Sequence, residues 1–442
     1  MRTLTKDTAN KVGEEVTLMG WVHNRRDHGK LIFIDLRDRW GIVQVVFNPK
    51  NQKLLEQANQ LRSEWVVQIS GLVKERPAGM QNPELPTGKI ELEVTLLTVL
   101  SRADDLPIPI MEEGTNEAEL QKRLDWRWID LRNPKRTLIF KVWTTMEQAF
   151  REYWTGNGYI EIHSPKLMST PSESGAELFE VQYFDRKAFL AQSPQFYKQM
   201  AMAAGFEKVF EVGPVFRAEP SFTARHATEF TGYDVEISFI ESHQDVIIEE
   251  EKTLIYVLQK IKDEFGDKVH EVFGKELEIP ATPFPQVTMK EAKEILKKKG
   301  ITGERSGDLS PEEERSLSEY IKEKEGHEFV FVTEYPVRVR PFYHMRLESN
   351  PELTKSFDLL WNGVEITTGA QREHRYEKLI SQAEEKGLHI EPIQFYLNFF
   401  KYGCPPHGGF GHGPARMLMK ILNLGNIREV TYLYRGVNRL EP

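Results

Sequence analysis

The first hundred residues alternate apolar and polar positions in short runs, which is the pattern of half-buried strands. Five such runs are separated by charged or Gly/Pro turns, and they read VTLMGWVHN, KLIFIDLRD, GIVQVVFN, EWVVQISGLV and KIELEVTLLTVL. One helical pattern, QKLLEQANQLR, precedes the fourth run. Five strands with an interposed helix are the order of an OB barrel, so we predict that barrel over residues 1–102.

The pattern changes after the barrel. Residues 103–134 carry prolines, a polar stretch and the basic-aromatic LDWRWIDLR, which predicts a hinge or linker. From residue 135 to 442, helical patterns and strand-like runs mix without regular βαβ alternation. This favours an α+β domain on an antiparallel sheet flanked by helices. The Lys- and Glu-rich segment 288–326 is interpreted as a solvated helical excursion.

The length and composition of the chain exclude several classes of protein. A chain of 442 residues is too long for one core, and its 40% hydrophobic and 28% charged residues are typical of a soluble globular protein. No membrane-length apolar run or signal peptide occurs in the sequence, so we expect a cytoplasmic location. The single cysteine, Cys404, excludes an internal disulfide and a multi-cysteine zinc site. The net charge of −9 does not exclude a local nucleic-acid surface.

Segment 210–236 reads as strand, polar loop and strand. Arg217 and Glu219 follow the first strand, and Arg225 and His226 lie in the loop. An arginine held by carboxylates can present a rigid fork to an α-phosphate, and loop cations can hold terminal phosphates. An ordinary hairpin with exposed charges is the alternative.

Segment 408–420, GGFGHGPARMLMK, is rich in glycine, which lets a ligand approach the backbone, and Arg416 opens a helix. A flat purine could lie against the glycine-rich strand with the guanidinium of Arg416 stacked above it. Glycine-rich turns are common, so this segment alone is a weak signal. The GxxxxGK[ST] pattern is missing from the sequence, which excludes a P-loop. Segment 156–167, GNGYIEIHSPKL, predicts a helix end and an edge strand.

Three polar segments suggest a small-molecule pocket: PSESGAELF (171–179), AQSPQFYKQ (191–199) and SFDLLWNGVEITTGAQREH (356–374). In the last, the spacing of Asp358 and Glu365 suits two antiparallel strands joined by the WNG turn, with both carboxylates facing one site. Such oxygen ligands suit Mg²⁺. Two acids near a turn are otherwise usually exposed to solvent.

Taken in order, 156–167, 210–236 and 408–420 resemble motifs 1, 2 and 3 of class II aminoacyl-tRNA synthetases. The barrel resembles the anticodon-binding domain of their aspartate, asparagine and lysine subgroup, and AQSPQFYKQ resembles the aspartate enzymes' QSPQ-x-x-K-Q signature. The short interval between motifs 2 and 3 resembles the archaeal and eukaryotic kind. The resemblance, from about Val16 to Pro442, implies an aspartate–tRNA ligase that forms aspartyl-adenylate from ATP and L-aspartate with Mg²⁺, acts on tRNA(Asp), and is a homodimer joined partly through motif 1.

The resemblance also assigns residues. ATP would be bound by Arg217, Glu219, Arg225, His226, Phe230, Glu365 and Arg416, with Phe230 against adenine and with catalytic parts for Arg217, Glu219 and Arg416. Aspartate would be bound by Glu173, Ser193, Gln195, Lys198, Arg217, Asp234, Thr368 and Arg372, and the metal by Asp358, Glu365 and Thr368. The GHGPAR form of motif 3, with His412, Pro414 and Ala415, and the ending RGVNRLEP depart from the family's usual sequences.

In the barrel, the resemblance places anticodon contacts at Arg25, Arg26, His28, Phe33, Gln44 and Pro77. Bases can stack on an aromatic ring while arginines hold phosphates. The alternative for Phe33 is a core aromatic. His28 and the loop KERPAGM resemble relaxed members that also charge tRNA(Asn) and pass the product to an amidotransferase, so we expect dual specificity.

Three alternatives remain open from the sequence. An asparaginyl-tRNA synthetase should replace Lys198 with a residue that is not a cation, and a non-catalytic RNA-binding paralogue should lose Arg217, Glu365 or Arg416, all of which are present. A tRNA-independent ligase that makes an amide usually lacks the barrel. Lys198 and Arg372 could also be surface cations, as most lysines and arginines are.

Overall fold

The computed structural model describes residues 1–111, 117–170, 178–303 and 307–442. The chain divides into two compact units, Met1–Pro109 and Ile110–Pro442. In the described part of the chain, no helix is long and apolar enough to cross a membrane.

The first unit is a closed five-stranded barrel, which confirms the predicted OB architecture. After a short 3₁₀ helix, Thr5–Asn10, its elements are β1 Glu15–His28, β2 Leu31–Asp38, β3 Gly41–Phe47, α1 Gln52–Gln60, β4 Val66–Glu75 and β5 Ile90–Ser101. The strands close in the order β1-β2-β3-β5-β4. Alternate residues such as Leu18, Ile34 and Val45 fill the interior, as the period-two pattern requires.

The second unit is a mixed α+β domain, as predicted. Its helices are α2 Leu120–Asp125, α3 Arg127–Asp130, α4 Pro134–Gly156, α5 Gln195–Ala203, α6 His243–Phe273, α7 Met289–Lys298, α8 Pro311–Glu325, α9 Tyr376–Glu385, α10 Ile390–Lys401, α11 Pro414–Ile421 and α12 Ile427–Val430, with a 3₁₀ turn at Val337–Val339. Its strands are β6 Ile160–Glu161, β7 Leu167–Met168, β8 Glu180–Tyr183, β9 Arg186–Leu190, β10 Lys208–Phe216, β11 Glu229–Ser238, β12 Gln286–Thr288, β13 Phe329–Thr333, β14 Ser356–Trp361, β15 Val364–Gln371 and β16 His407–His412. Helices α2 and α3 lie in the predicted linker 103–134, whose action as a hinge stays a prediction.

An eight-stranded sheet organises this unit, in the order β12-β13-β14-β15-β16-β11-β10-β6. Its pairs are antiparallel except β12 with β13 and β10 with β6. Helices α4 and α6 pack against it through the main apolar core, which includes Phe150, Trp154 and Leu254. Strands β7, β9 and β8 form a separate small sheet. Strand β6, from the motif 1 segment, is an edge strand as predicted.

The interpretation of segment 288–326 as a solvated excursion is wrong for the part that the structure describes. Helices α7 and α8 each start with a capping box and bury an apolar face against β13. Leu296, Leu317 and Ile321 are buried there with Val330 and Val332. The lysines and glutamates dominate the composition, but their helical spacing leaves one apolar stripe on each helix, and that stripe decides the packing.

Candidate active site

Strands β10, β11, β15 and β16 form the floor of a cavity of about 410 Å³, and helices α5 and α11 contribute to its walls. Predicted residues that line it are Ser193, Gln195, Lys198, Arg217, Glu219, Arg225, His226, Phe230, Asp234, Glu365, Thr368, Arg372 and Arg416. Segments far apart in sequence therefore meet around one space. Glu173 lies outside the described residues.

The segment 210–236 forms the expected hairpin, and its charges converge on the cavity rather than on open solvent. Arg217 follows β10 and is 44% exposed, so its guanidinium stands at the mouth within reach of a ligand. It lies 5.5 Å from the Phe230 ring centre and 3.8 Å from Glu219. Burial, followed by the charge of Arg416, lowers the pKa of His226, which leaves a neutral imidazole at neutral pH.

On the far wall, Arg416 and Arg225 are fixed by protein contacts. Arg416 donates to the Glu365 carbonyl at 2.9 Å and to the Arg225 carbonyl at 3.4 Å. The Arg225 guanidinium donates to Glu314 of α8. Burial raises the pKa of Glu314 to about 7, and Arg225 opposes this rise.

The floor holds a buried ion cluster around Lys198. Its Nζ lies 3.0 Å from Asp234 Oδ1, 3.3 Å from Glu236 Oε2 and 3.4 Å from the carbonyl oxygens of Val235 and Phe410. An ammonium group has three N–H donors, so these four oxygens already occupy it. Lys198 is 2% exposed, which rules out a surface cation.

Arg372, 3% exposed, is held from three sides. Its Nε donates to Glu236, one terminal nitrogen donates to His344 Nε2, and the other donates to the Gly409 carbonyl, each at 3.0 Å. Burial, then the neighbouring Arg372, keeps the pKa of His344 well below its ordinary value, consistent with an accepting Nε2. A guanidinium has five N–H donors, so these contacts leave two of them for a ligand.

Glu236 joins the two cations. It is fully buried, and although burial alone would raise its pKa, Arg372 and Lys198 lower it. Glu236 is thus paired with both Lys198 and Arg372, so its buried charge is balanced by the protein itself.

The predicted metal ligands lie on one hairpin. Asp358 of β14 pairs with Thr368 of β15, and the Thr368 hydroxyl donates to Glu365 at 3.2 Å. Asp358 does not line the cavity: it is buried, and its Oδ2 is 2.7 Å from Arg340. Its Oδ1 is buried with no hydrogen-bond partner in the described part of the chain. Glu365 and Thr368 line the cavity and offer oxygen ligands of the kind that suits a hard cation, although no described group of three or more His, Cys, Asp or Glu side chains is arranged to hold a metal.

The glycine-dense strand β16 shows two different faces. A Cβ on Gly409 would lie 2.4 Å from Glu236, and one on Gly411 would lie 3.1 Å from Asp234, so these glycines make room for the site's carboxylates. His412 points the other way into the core, where its ring lies 5.4 Å from that of Phe150. Burial lowers the pKa of His412 to about 3, so it is neutral. At His412 the GHGPAR variation therefore falls on the core side of the strand, whereas Pro414 and Ala415 lie on α11 and Ala415 lines the cavity.

Two family models match this chain. Residues 119–435 match the tRNA synthetases class II (D, K and N), and residues 16–100 match the OB-fold nucleic acid binding domain. The chain belongs to the class II tRNA synthetases. Its family is an enzyme family that uses ATP as a substrate and tRNA as a partner, so this synthetase is an enzyme of the same kind.

The similarity to individual relatives extends over nearly the whole length of this synthetase. The chain is 44% identical to an aspartate–tRNA(Asp/Asn) ligase of Aeropyrum pernix, covering 98% of this chain and 96% of that protein. It is 43% identical to an aspartate–tRNA(Asp) ligase of Pyrococcus furiosus, covering 97% of both. The crystal structure of asparaginyl-tRNA synthetase from Pyrococcus horikoshii complexed with asparaginyl-adenylate has a TM-score of 0.90 and 32% identity, with 100% of both chains covered.

Sequence reasoning about the synthetase missed four side chains at this site: Glu236, Glu314, Arg340 and His344. Glu236 could have been found, because it lies two residues after Asp234 on β11 and thus on the same face. Nothing near Glu314, Arg340 or His344 in the sequence distinguishes them from ordinary polar residues.

The predicted anticodon residues lie on β1, β2, β3 and the loop after β4. Phe33 is half-buried and stands opposite Arg26, outside the barrel core, so the core-aromatic alternative is wrong. Arg26 donates to Asp35 at 2.7 Å and to Gln44 at 3.3 Å. These contacts make one polar surface beside the half-buried ring of Phe33.

The remaining predicted residues are exposed or partly exposed. Arg25 donates to Asp27 at 2.8 Å and to Asn59 at 2.9 Å, while His28 and Pro77 are exposed. Their part in tRNA binding stays a prediction.

Proposed function

We propose that this synthetase activates L-aspartate with ATP and transfers the aspartyl group to the 3′ end of tRNA(Asp). The observation that carries the amino-acid choice is Arg372, which lines the cavity together with Asp234 and uses three of its five N–H donors on protein groups. The curated relatives named above, which are aspartate–tRNA ligases, support the same choice.

Aspartate would lie with its side-chain carboxylate on the fork of Arg372 and its ammonium towards Asp234. A buried carboxylate needs fixed cations to replace its lost hydration. Asparagine would instead point N–H donors at the donors of Arg372 and leave them unpaired, at about 1–3 kcal/mol for each group. Since Lys198 is occupied by four protein oxygens, its part is to hold Asp234 and Glu236 and to keep the floor positively charged.

ATP would occupy the other end of the cavity. Arg217 would bind the α-phosphate while the α-carboxylate of aspartate attacks the α-phosphorus and pyrophosphate leaves. Phe230 and Arg416 would bracket the adenine, with Arg225 and His226 near the terminal phosphates. Glu219 would orient Arg217, to which it already lies close.

Glu365, Thr368 and Asp358 would hold Mg²⁺, which when bound would neutralise phosphate charge. Ser193 and Gln195 support the amino-acid end, because Gln195 N donates to the Ser193 hydroxyl at 3.3 Å and so fixes the start of α5. Glu173 keeps its predicted part in binding aspartate.

The barrel would bind the anticodon through Phe33, Gln44, Arg25 and Arg26. His28 and Pro77 underlie our proposal that tRNA(Asn) is charged as well, with delivery of the product to an amidotransferase. One relative is named for both tRNAs and another for tRNA(Asp) alone, so these names do not decide between dual and single tRNA specificity. We also propose a homodimer and a cytoplasmic location.

The test is aminoacylation with radiolabelled aspartate or asparagine against purified tRNA(Asp) and tRNA(Asn). Aspartate should be attached to tRNA(Asp), and asparagine should be rejected. Attachment of asparagine alone would overturn the proposed substrate, whereas rejection of tRNA(Asn) would overturn only the dual specificity. Phe33→Ala should raise the KM for tRNA without changing pyrophosphate exchange, and Leu96→Ala, an exposed change on β5 of the same barrel, is its control.

A further inference from the structure

The side chain of Arg225 is attached to helix α8, which belongs to the charged segment 288–326. Its guanidinium donates to Glu314, and the two side chains are 16% and 10% exposed. The Arg225 carbonyl accepts a hydrogen bond from Arg416 at 3.4 Å. The backbone and the side chain of Arg225 are thus both fixed along the cavity wall.

Glu314 has a different environment from the glutamates beside it. Glu313 caps α8 through the Ser310 amide at 2.8 Å and binds Lys293 at 2.6 Å, which are structural contacts within the segment. Glu312 is exposed. Glu314 turns towards the cavity wall, where Arg225 and Arg416 attract its charge and Glu365 repels it.

We propose that Glu314 is a positioning residue for ATP binding. Glu314 holds Arg225 towards the terminal phosphates and so makes α8 part of the nucleotide site. This inference rests on the proposed placement of ATP. A free arginine side chain has many rotamers, and a phosphate that binds it must immobilise it in one of them at a cost in entropy. One contact with Glu314 removes much of that freedom and still leaves four N–H donors for phosphate oxygens.

The carboxylate also offsets like charges. Arg225 and Arg416 lie together on the wall, and Lys420 of α11 is close enough for the charge of Arg225 to lower the pKa of Lys420, after the larger effect of burial. Without Glu314, mutual repulsion would push Arg225 away from this wall. Because burial raises the pKa of Glu314 to about 7, the carboxylate is mostly charged above that pH, and there Glu314→Gln keeps the shape of the side chain and removes this charge.

The experiment measures aspartate-dependent pyrophosphate exchange across ATP concentrations for Glu314→Gln, Glu314→Asp and the control Glu312→Gln. Glu314→Gln should raise the KM for ATP about 3- to 10-fold, the range expected when one ordered side chain becomes free. The KM for aspartate should not change, Glu314→Asp should recover part of the loss, and Glu312→Gln should behave as the parent. An unchanged or lower KM for ATP in a folded Glu314→Gln protein would overturn the inference.

The variant Arg225→Ala separates this inference from the proposed function. If Glu314 acts through Arg225, adding Glu314→Gln to Arg225→Ala should raise the KM for ATP no further. Additive effects would show that Glu314 acts by another route. If Arg225→Ala alone leaves the KM for ATP unchanged, the placement of ATP is wrong; if it raises this KM while Glu314→Gln does not, only the positioning role is wrong.

Discussion

The substitution Arg372→Lys tests the aspartate pocket most directly, because it keeps the charge and removes the fork. Arg372 lines the cavity and uses three N–H donors on Glu236, His344 and Gly409, which leaves two for a ligand. An ammonium on a flexible chain cannot reach the same protein partners and also give two parallel hydrogen bonds to a carboxylate.

The expected loss follows from those two bonds. A hydrogen bond to a charged group contributes about 1.5–3 kcal/mol, and lysine can restore one of the two, so the KM for aspartate should rise about 10- to 150-fold. The KM for ATP should stay within about twofold of the parent, because ATP is placed at the other end of the cavity. The preference for aspartate over asparagine should fall, since the amide then meets fewer fixed donors.

The assay is pyrophosphate exchange with aspartate and ATP titrated separately. Arg375→Lys is the matched control, because Arg375 lies three residues away, is exposed and pairs with Glu373. A thermal melt shows whether the loss of the Arg372 contacts with Glu236 has unfolded the protein. If folded Arg372→Lys binds aspartate like the parent, or loses ATP and aspartate affinity equally, the amino acid does not lie on this arginine.

Three further predictions concern other parts of the catalytic unit. Arg217→Ala should slow pyrophosphate exchange about 10²- to 10³-fold, as expected for a contact made in the transition state, and near-parental rates would refute its role. Glu365→Gln should raise the Mg²⁺ concentration that gives half-maximal exchange, and an unchanged titration would contradict the metal assignment. Burial would raise the pKa of Glu328, but hydrogen bonds from Trp361 and its neighbours lower that pKa to about 2. Ionised Glu328 therefore contributes at most about 3 kcal/mol to the free energy of unfolding. This contribution is complete above pH ~4.5 and is lost as the pH falls towards 2. Urea unfolding of Glu328→Gln should show the deficit at pH 7 and a smaller one at pH 3.

The fold could be predicted because strand alternation and glycine positions are local signals. The barrel strands and the β14–β15 hairpin follow from runs of a few residues, and each was found where the pattern placed it. The partners of buried charges are not local. Glu314 reaches Arg225 across 89 positions, and nothing in a Lys- and Glu-rich helix shows which glutamate will be buried. Likewise, the sequence suggested Lys198 as a direct ligand, but only the structure shows four oxygens around its ammonium.

Strand β16 has a consequence for the use of sequence signatures. Gly409 and Gly411 adjoin the carboxylates of the site, whereas Phe410 and His412 are buried in the core. Successive residues of this motif are therefore subject to different constraints. Alternate positions are constrained by the ligand site, and the positions between them are constrained by packing against the helices behind the sheet. A profile that weighs every letter equally would penalise His412 as a defect in function. Scoring the two faces separately would recognise it as a change of packing and would distinguish divergent active synthetases from chains that have lost their chemistry.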